Sequence, residues 1–255
     1  MFRNFGIRNK NVDTVKLENE SSEPRSLVSS YYELMSSQTS NVRHIPGTWL
    51  ELEWLDNWDS KVEIEFEEPH HLNAFRRQFL GTISAYVASK SPNGIFAEFG
   101  IYNGLGSKII LENSNNSNPL WLIDSFEGLS EPRQVDGDYW KKGDMSRSLD
   151  LVKNRLRNFE NRTHFFEGFV PEILEKLPKE KLAFAHIDLD LFEPTLATLK
   201  FISSNSNHDV VVLSDDYGFS TCPGATRAID SFLSEVTDFK IIPFPVGGAL
   251  IFREL

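Results

Sequence analysis

The sequence carries a single cysteine, Cys222, in 255 residues. One thiol cannot close an intrachain disulfide, and a thiolate metal cluster is excluded within one chain. With no obvious base partner, Cys222 reads as a small buried residue rather than a nucleophile. Cations are also in short supply: 26 Lys and Arg stand against 37 Asp and Glu, a formal net charge of −11. That balance excludes a general nucleic-acid surface, which needs clustered Lys and Arg to meet phosphates. No apolar run approaches the ~20 residues of a spanning helix, so no membrane span is expected. The opening stretch MFRNFGIRNKNVDTV lacks the apolar core of a secretory signal, and a cytoplasmic location is the expectation. With 40% hydrophobic and 25% charged residues the composition is that of a globular chain.

What is present divides into three parts. Residues 1–42 are rich in Asn, Ser, Glu and Arg and poor in periodic apolar positions, and read as a mobile N-terminal arm. Residues 43–90 hold a lid and an amphipathic helix. Within them, WLELEWLDNWDSKVEIEFEE (49–68) packs three of the five tryptophans beside eight acidic residues. It reads either as a solvated acidic face or as a cover over a site. The spacing of Leu72, Phe75, Phe79, Ile83 and Val87 predicts the helix, to about Ser89.

From residue 91 to 255 apolar strands alternate with helical segments. The strands are IFAEFG, LWLIDSF, THFFEGF, LAFAHIDLD and DVVVLSDD, each followed by a helix. That pattern describes an α/β domain, a doubly wound and mostly parallel sheet with helices on both faces. The last two strands, in FKIIPFP and GALIFRE, are joined by a connection too short for a parallel crossover. A C-terminal antiparallel pair therefore completes a seven-stranded sheet.

Ligands collect at the carboxyl ends of such strands. The first strand delivers Glu98, then Gly100, Gly104 and Gly106, which let backbone approach a ligand closely. The run is neither a dinucleotide fingerprint nor a Walker loop, and Glu98 would repel a pyrophosphate while welcoming an amino group. Asp124, followed by Ser125, ends the second strand where a ribose diol is usually grasped. Together these features point to a nucleoside cofactor without a diphosphate.

The fourth strand ends in Asp188 and Asp190, two residues apart and so on one side of an extended chain. The fifth ends in Asp215 and Asp216. If the two strands are neighbours, four carboxylates converge, and such a cluster either raises a pKa or recruits a cation. A hard, oxygen-liganded ion such as Mg²⁺ suits it. His186 reads as a core histidine or as a partner behind the cluster.

The segments FAEFGIYNGLGS, LIDSFEGLSEP, GDMSRSLDLVKNRL, FFEGFVPEIL, HIDLDLFEPT and DDYGFSTCPGATRAIDSF, over about residues 91–255, resemble the macrocin O-methyltransferase (TylF-type) family. The resemblance implies a Rossmann-like class I S-adenosylmethionine-dependent methyltransferase that needs Mg²⁺ and methylates a hydroxyl of a sugar-bearing or other polyhydroxylated acceptor. It implies that Glu98, Gly100, Gly104 and Ser107 face the methionine end of S-adenosylmethionine, with Asp124 on the ribose. Ser125 and Gly168 complete the expected cofactor-binding set. Asp188, Asp215 and Asp216 would be metal ligands and Asp190 the general base. Phe192 and Pro194 stand where the family usually has Tyr and Ser, and Ile101-Tyr102-Asn103 where Trp and Arg are frequent. The expected partner is a small hydroxylated molecule, and the family makes a homo-oligomer plausible. Two rivals remain: an Asp-x-Asp metal-dependent glycosyltransferase, and a non-catalytic module that keeps only cofactor affinity.

Overall fold

The computed structural model describes residues 74–245 and 247–253. The arm at 1–42, the Trp-rich segment and Leu72 lie outside the described residues. The first described element is helix α1 (Ala74–Lys90). Then follow β1 (Ile95–Phe99), α2 (Leu105–Asn113), β2 (Leu120–Asp124), α3 (Leu149–Arg155) and β3 (Thr163–Glu167). The second half comprises β4 (Leu182–Ile187), α4 (Phe192–Ser204), β5 (Ser206–Ser214), α5 (Pro223–Glu235), β6 (Phe239–Pro243) and β7 (Ala249–Arg253).

The seven strands lie in the order β3-β2-β1-β4-β5-β7-β6. The first five are parallel, and β7 runs antiparallel to both β5 and β6. The reversed pair expected from the short connection is present, with β7 inserted between β5 and β6. Strand order reverses between β1 and β4, and the crevice at that reversal is where an open α/β sheet takes its ligand.

Every residue of β1 and β4 is buried, as expected for strands covered on both faces. Alternation sorts their side chains. Ala97, Phe99, Ala185 and Ile187 join a core with Leu199 and Ile202 of α4 and Ile229 and Phe232 of α5. Phe96 and Phe184 join the opposite core, with Leu80 and Val87 of α1, Ile109 and Ile110 of α2, and Val152 of α3. A residue on this second side at the end of β1 therefore faces α2, and Glu98 is that residue.

The helices start and stop on local chemistry. Ser148 caps α3 by accepting from Leu151 N, and Pro223 opens α5 at a position where a missing N–H is harmless. Helix α3 spans seven residues and is followed by a 3-10 turn at Arg157–Phe159.

Candidate active site

The chain leaves β1 through Gly100, which has φ +84, and a Cβ there would overlap the carbonyl oxygen of Asp188. Only glycine lets this turn lie against the end of β4. The contact is sealed by Asp188 N donating to Phe99 O at 2.9 Å. Asp124 holds the turn from the other side: Oδ2 accepts from Ile101 N at 2.7 Å and Tyr102 N at 3.4 Å, and Oδ1 from Phe126 N at 2.6 Å. The carboxylate expected on a ribose is here a staple between two strand ends.

Glu98 is 1% exposed. The Ser107 hydroxyl donates to its Oε2, and His186 Nδ1 lies 3.0 Å from its Oε1. Gly106 leaves the room for it, since a Cβ there would overlap Oε1. Ser107 therefore stands behind Glu98, and both Ser107 and Gly104 lie outside the walls of the two cavities described below.

The acidic cluster forms because β4 and β5 are neighbours, with Ile187 paired to Ser214. Asp188, Asp215 and Asp216 each offer a carboxylate oxygen, all within 4.8 Å of one another. Asp190, Asp216 and Cys222 form a second group within the same limit. The expected reason for Asp188 and Asp190 sharing a side is corrected. Strand β4 ends at Ile187, and Asp190 has φ +59, outside extended backbone. What brings Asp190 in is Asp216, whose Oδ2 accepts from Leu189 N at 3.1 Å and Asp190 N at 2.9 Å.

Burial pushes the Asp188 and Asp190 carboxyls well above the ordinary range, and neighbouring carboxylates add to the rise. Burial, then Asp215, raises Asp216 to about 6. Arg76, from the first turn of α1, sits 2.9 Å from Asp215 Oδ2 and opposes these shifts. Among the described residues, four carboxyl groups gather around one guanidinium, and ionising all four would leave an excess of buried negative charge. The donor set is all oxygen and converges on one point, so it fits a hard divalent cation.

Two adjoining cavities open here. The larger, of about 170 Å³, is lined by Glu98, Asn103, the four aspartates and the aromatic rings of Tyr139, Trp140 and Phe219. The smaller, of about 70 Å³, is lined by Gly100, Asp124, Ser125, Gly168 and Leu189. Ile101, Tyr102, Met145, Asp188 and Asp190 belong to both walls, so the two compartments meet at the carboxylates.

Two side chains at or behind this wall carried no signal in the sequence. Arg147, behind it, stacks 4.3 Å from the Tyr102 ring and bonds its hydroxyl. Cys222, read as a plain buried residue, donates its S–H to Asp190 Oδ1 at 3.2 Å and accepts from Trp140 Nε1 at 3.4 Å. Burial, followed by Asp216 and Asp190, pushes its thiol far up, so it is inert as a nucleophile. The adjacent aromatics in DYWKK were the one available hint.

A sheet of this order, with a glycine turn after β1 and a reversed last strand, defines a Rossmann-like methyltransferase fold. Residues 74–238 match the macrocin-O-methyltransferase (TylF) family, and the chain belongs to that family. It is similar to 8-demethyl-8-(2,3-dimethoxy-alpha-L-rhamnosyl)-tetracenomycin-C 4′-O-methyltransferase of Streptomyces olivaceus, 25% identical over 55% of this chain and 59% of the relative. It is also similar to demethyldecarbamoylnovobiocin O-methyltransferase of Streptomyces niveus, 25% identical over 57% of this chain and 60% of the relative. The matches thus span about three-fifths of these curated relatives. The solved structure of the O-methyltransferase NovP shares the fold, with a TM-score of 0.61 at 21% identity over 89% of this chain and 100% of that one.

Proposed function

We propose that the protein transfers a methyl group from S-adenosylmethionine to a hydroxyl of a sugar-bearing small molecule, with Mg²⁺ bound at the aspartate cluster. The observation that carries the reading is the meeting of two compartments at Asp188 and Asp190. One compartment, with Asp124 and the Gly100 turn, suits a nucleoside; the other, with aromatic walls, suits an acceptor. Family membership and a relative named for methylating a rhamnosyl-bearing compound support the same choice.

Asp188, Asp215 and Asp216 would hold the cation, which offsets the carboxylate charge and supplies Lewis acidity to a hydroxyl. Asp190 then accepts the hydroxyl proton. Its Oδ1 is engaged by Cys222, which leaves Oδ2 to act. A bound sulfonium and cation would oppose the rise that burial and Asp216 impose on the Asp190 carboxyl and so favour its ionised form. S-adenosylmethionine would supply the methyl carbon, its carbon–sulfur electron pair leaving with S-adenosylhomocysteine as the hydroxyl oxygen bonds to that carbon. The Asp124 staple and the Gly100 turn fix the two compartments relative to each other, and alignment supplies much of the rate.

Asp190→Asn is expected to lower turnover by ~10²-fold or more while calorimetric affinity for S-adenosylhomocysteine stays within about twofold. Retained turnover would remove Asp190 as the base. Asp215→Ala should lose the metal-dependent activity, and an enzyme equally active in chelator would sink the metal assignment.

A further inference from the structure

We infer that Arg76 is the resident counter-charge of the aspartate cluster and sets its charge for one divalent cation beside the sulfonium, an inference that rests on the proposed use of S-adenosylmethionine and Mg²⁺. Arg76 lines the larger cavity together with the four aspartates, and among the described residues it is the one Lys or Arg in that wall. Several contacts fix its place. Nη1 reaches Asp215 twice, lying 2.9 Å from Oδ2 and donating at 3.3 Å to the main-chain oxygen. The guanidinium also sits 4.7 Å from the centre of the Phe219 ring, and Phe219 is seated on Gly247, where a Cβ would overlap the ring. Both side chains of the ion pair are nearly buried, 10% and 8% exposed. A charge held at that depth is screened far less than one on the surface.

The charge of Arg76 matters because of what else must enter. Four ionised aspartates carry −4; Arg76 leaves −3, a divalent cation leaves −1, and the sulfonium brings the cluster to zero. Glu98 stands apart, with Ser107 and His186 as its partners, and does not enter the count. The balance survives methyl transfer. The carbon–sulfur electron pair goes to sulfur and removes the sulfonium charge, while the hydroxyl proton goes to Asp190 and removes one carboxylate charge. With a neutral residue at position 76 the same set would stay one negative charge in excess throughout, and the site would attract cations more strongly. Arg76 therefore holds cation affinity down. That separates a counter-charge from a clamp that only orients Asp215, because a clamp would raise affinity for the metal.

S-adenosylmethionine and S-adenosylhomocysteine differ by the methyl group and its positive charge, so the ratio of their affinities reads the charge of the site and cancels packing losses common to both. The experiment is calorimetric titration of the full chain, in a mildly alkaline buffer, with each of the two in saturating Mg²⁺ and with Mg²⁺ in saturating S-adenosylhomocysteine. Arg76→Gln is expected to raise the preference for S-adenosylmethionine by ~threefold or more and to tighten Mg²⁺ by ~tenfold or more. Arg76→Lys, which keeps the charge but not the planar fork, should stay within about threefold of the parent in both. Arg76→Met supplies a second neutral variant if Arg76→Gln does not fold. An unchanged preference, or an Mg²⁺ affinity that fails to rise, in a folded neutral variant overturns the inference and leaves Arg76 as a clamp on Asp215. A parent protein that binds neither S-adenosylmethionine nor S-adenosylhomocysteine overturns instead the cofactor reading, and one that binds them but not Mg²⁺ overturns the metal assignment; the inference falls with either.

Discussion

The Cys222 thiol spans two segments that the chain keeps far apart. Its partners Asp190 and Trp140 are 32 and 82 residues away, and a residue's nearest neighbours in sequence say nothing about contacts at that range. The thiol is a weak donor, yet it is the side-chain group that fixes one Asp190 oxygen. Cys222→Ala is expected to reduce turnover by ~3–10-fold with cofactor affinity unchanged, and Cys222→Ser, which keeps a donor, to recover most of it. Equal loss in both variants with a lowered Tm would reduce the thiol to packing. Gly100 is a different case. Its glycine was expected to let backbone approach a ligand closely, and what the fold sets against it is the Asp188 carbonyl. Gly100→Ala combines left-handed strain of ~1–3 kcal/mol with direct overlap. A lower Tm and loss of S-adenosylhomocysteine binding are expected together, and a variant that binds normally would show that the turn can relax.

At the scale of elements, Asp136 shows how a loop becomes part of the scaffold. It is 3% exposed, accepting from Arg133 N at 2.8 Å and from Phe192 N at 2.7 Å. The second bond caps the start of α4 from outside its own chain segment, and α5 comes close enough that a Cβ on Gly224 would overlap Asp136 Oδ1. Asp136→Ala leaves a buried helix N–H unmatched and is expected to destabilise by about 2 kcal/mol, which for a chain of this size lowers Tm by ~4–8 °C. A shift below about 1 °C would mean that water replaces the carboxylate. Apolar runs and connection lengths made the strands, the parallel sheet and the reversed pair readable, because burial on two faces and the reach of a short loop are local constraints. The ends of elements were less readable. Asp188 and Asp190 were expected on a continuing strand, but Asp216, 26 residues from Asp190, captures the backbone beyond Ile187 and ends it. The second role of Asp136 was invisible for the same reason, since its Oδ1 serves a helix that begins 56 residues later.

For the molecule as a whole, the carboxylate cluster sets function against stability. A buried group raised above its ordinary value binds its proton more tightly in the folded chain than in the unfolded one. Stability from such a group is therefore full below the unfolded pKa and falls as pH rises through the folded one. For Asp216 that window runs from 3.8 to about 6, and the rises at Asp188 and Asp190 act with the same sign. Asp216→Asn removes one charge but keeps an oxygen that accepts from Leu189 N and Asp190 N. Its Tm without divalent metal should match the parent near pH 4 and exceed it by a growing margin toward pH 7. Mg²⁺ should reverse the order, stabilising the parent and leaving the variant nearly unchanged, because binding to the folded state alone adds stability. A variant that is less stable than the parent at neutral pH without metal would mean that the aspartates are held by compensating contacts rather than strained by mutual repulsion. The predicted ordering ties the fold to the chemistry: the residues that make the chain least comfortable when empty are those that give it a use for a cation.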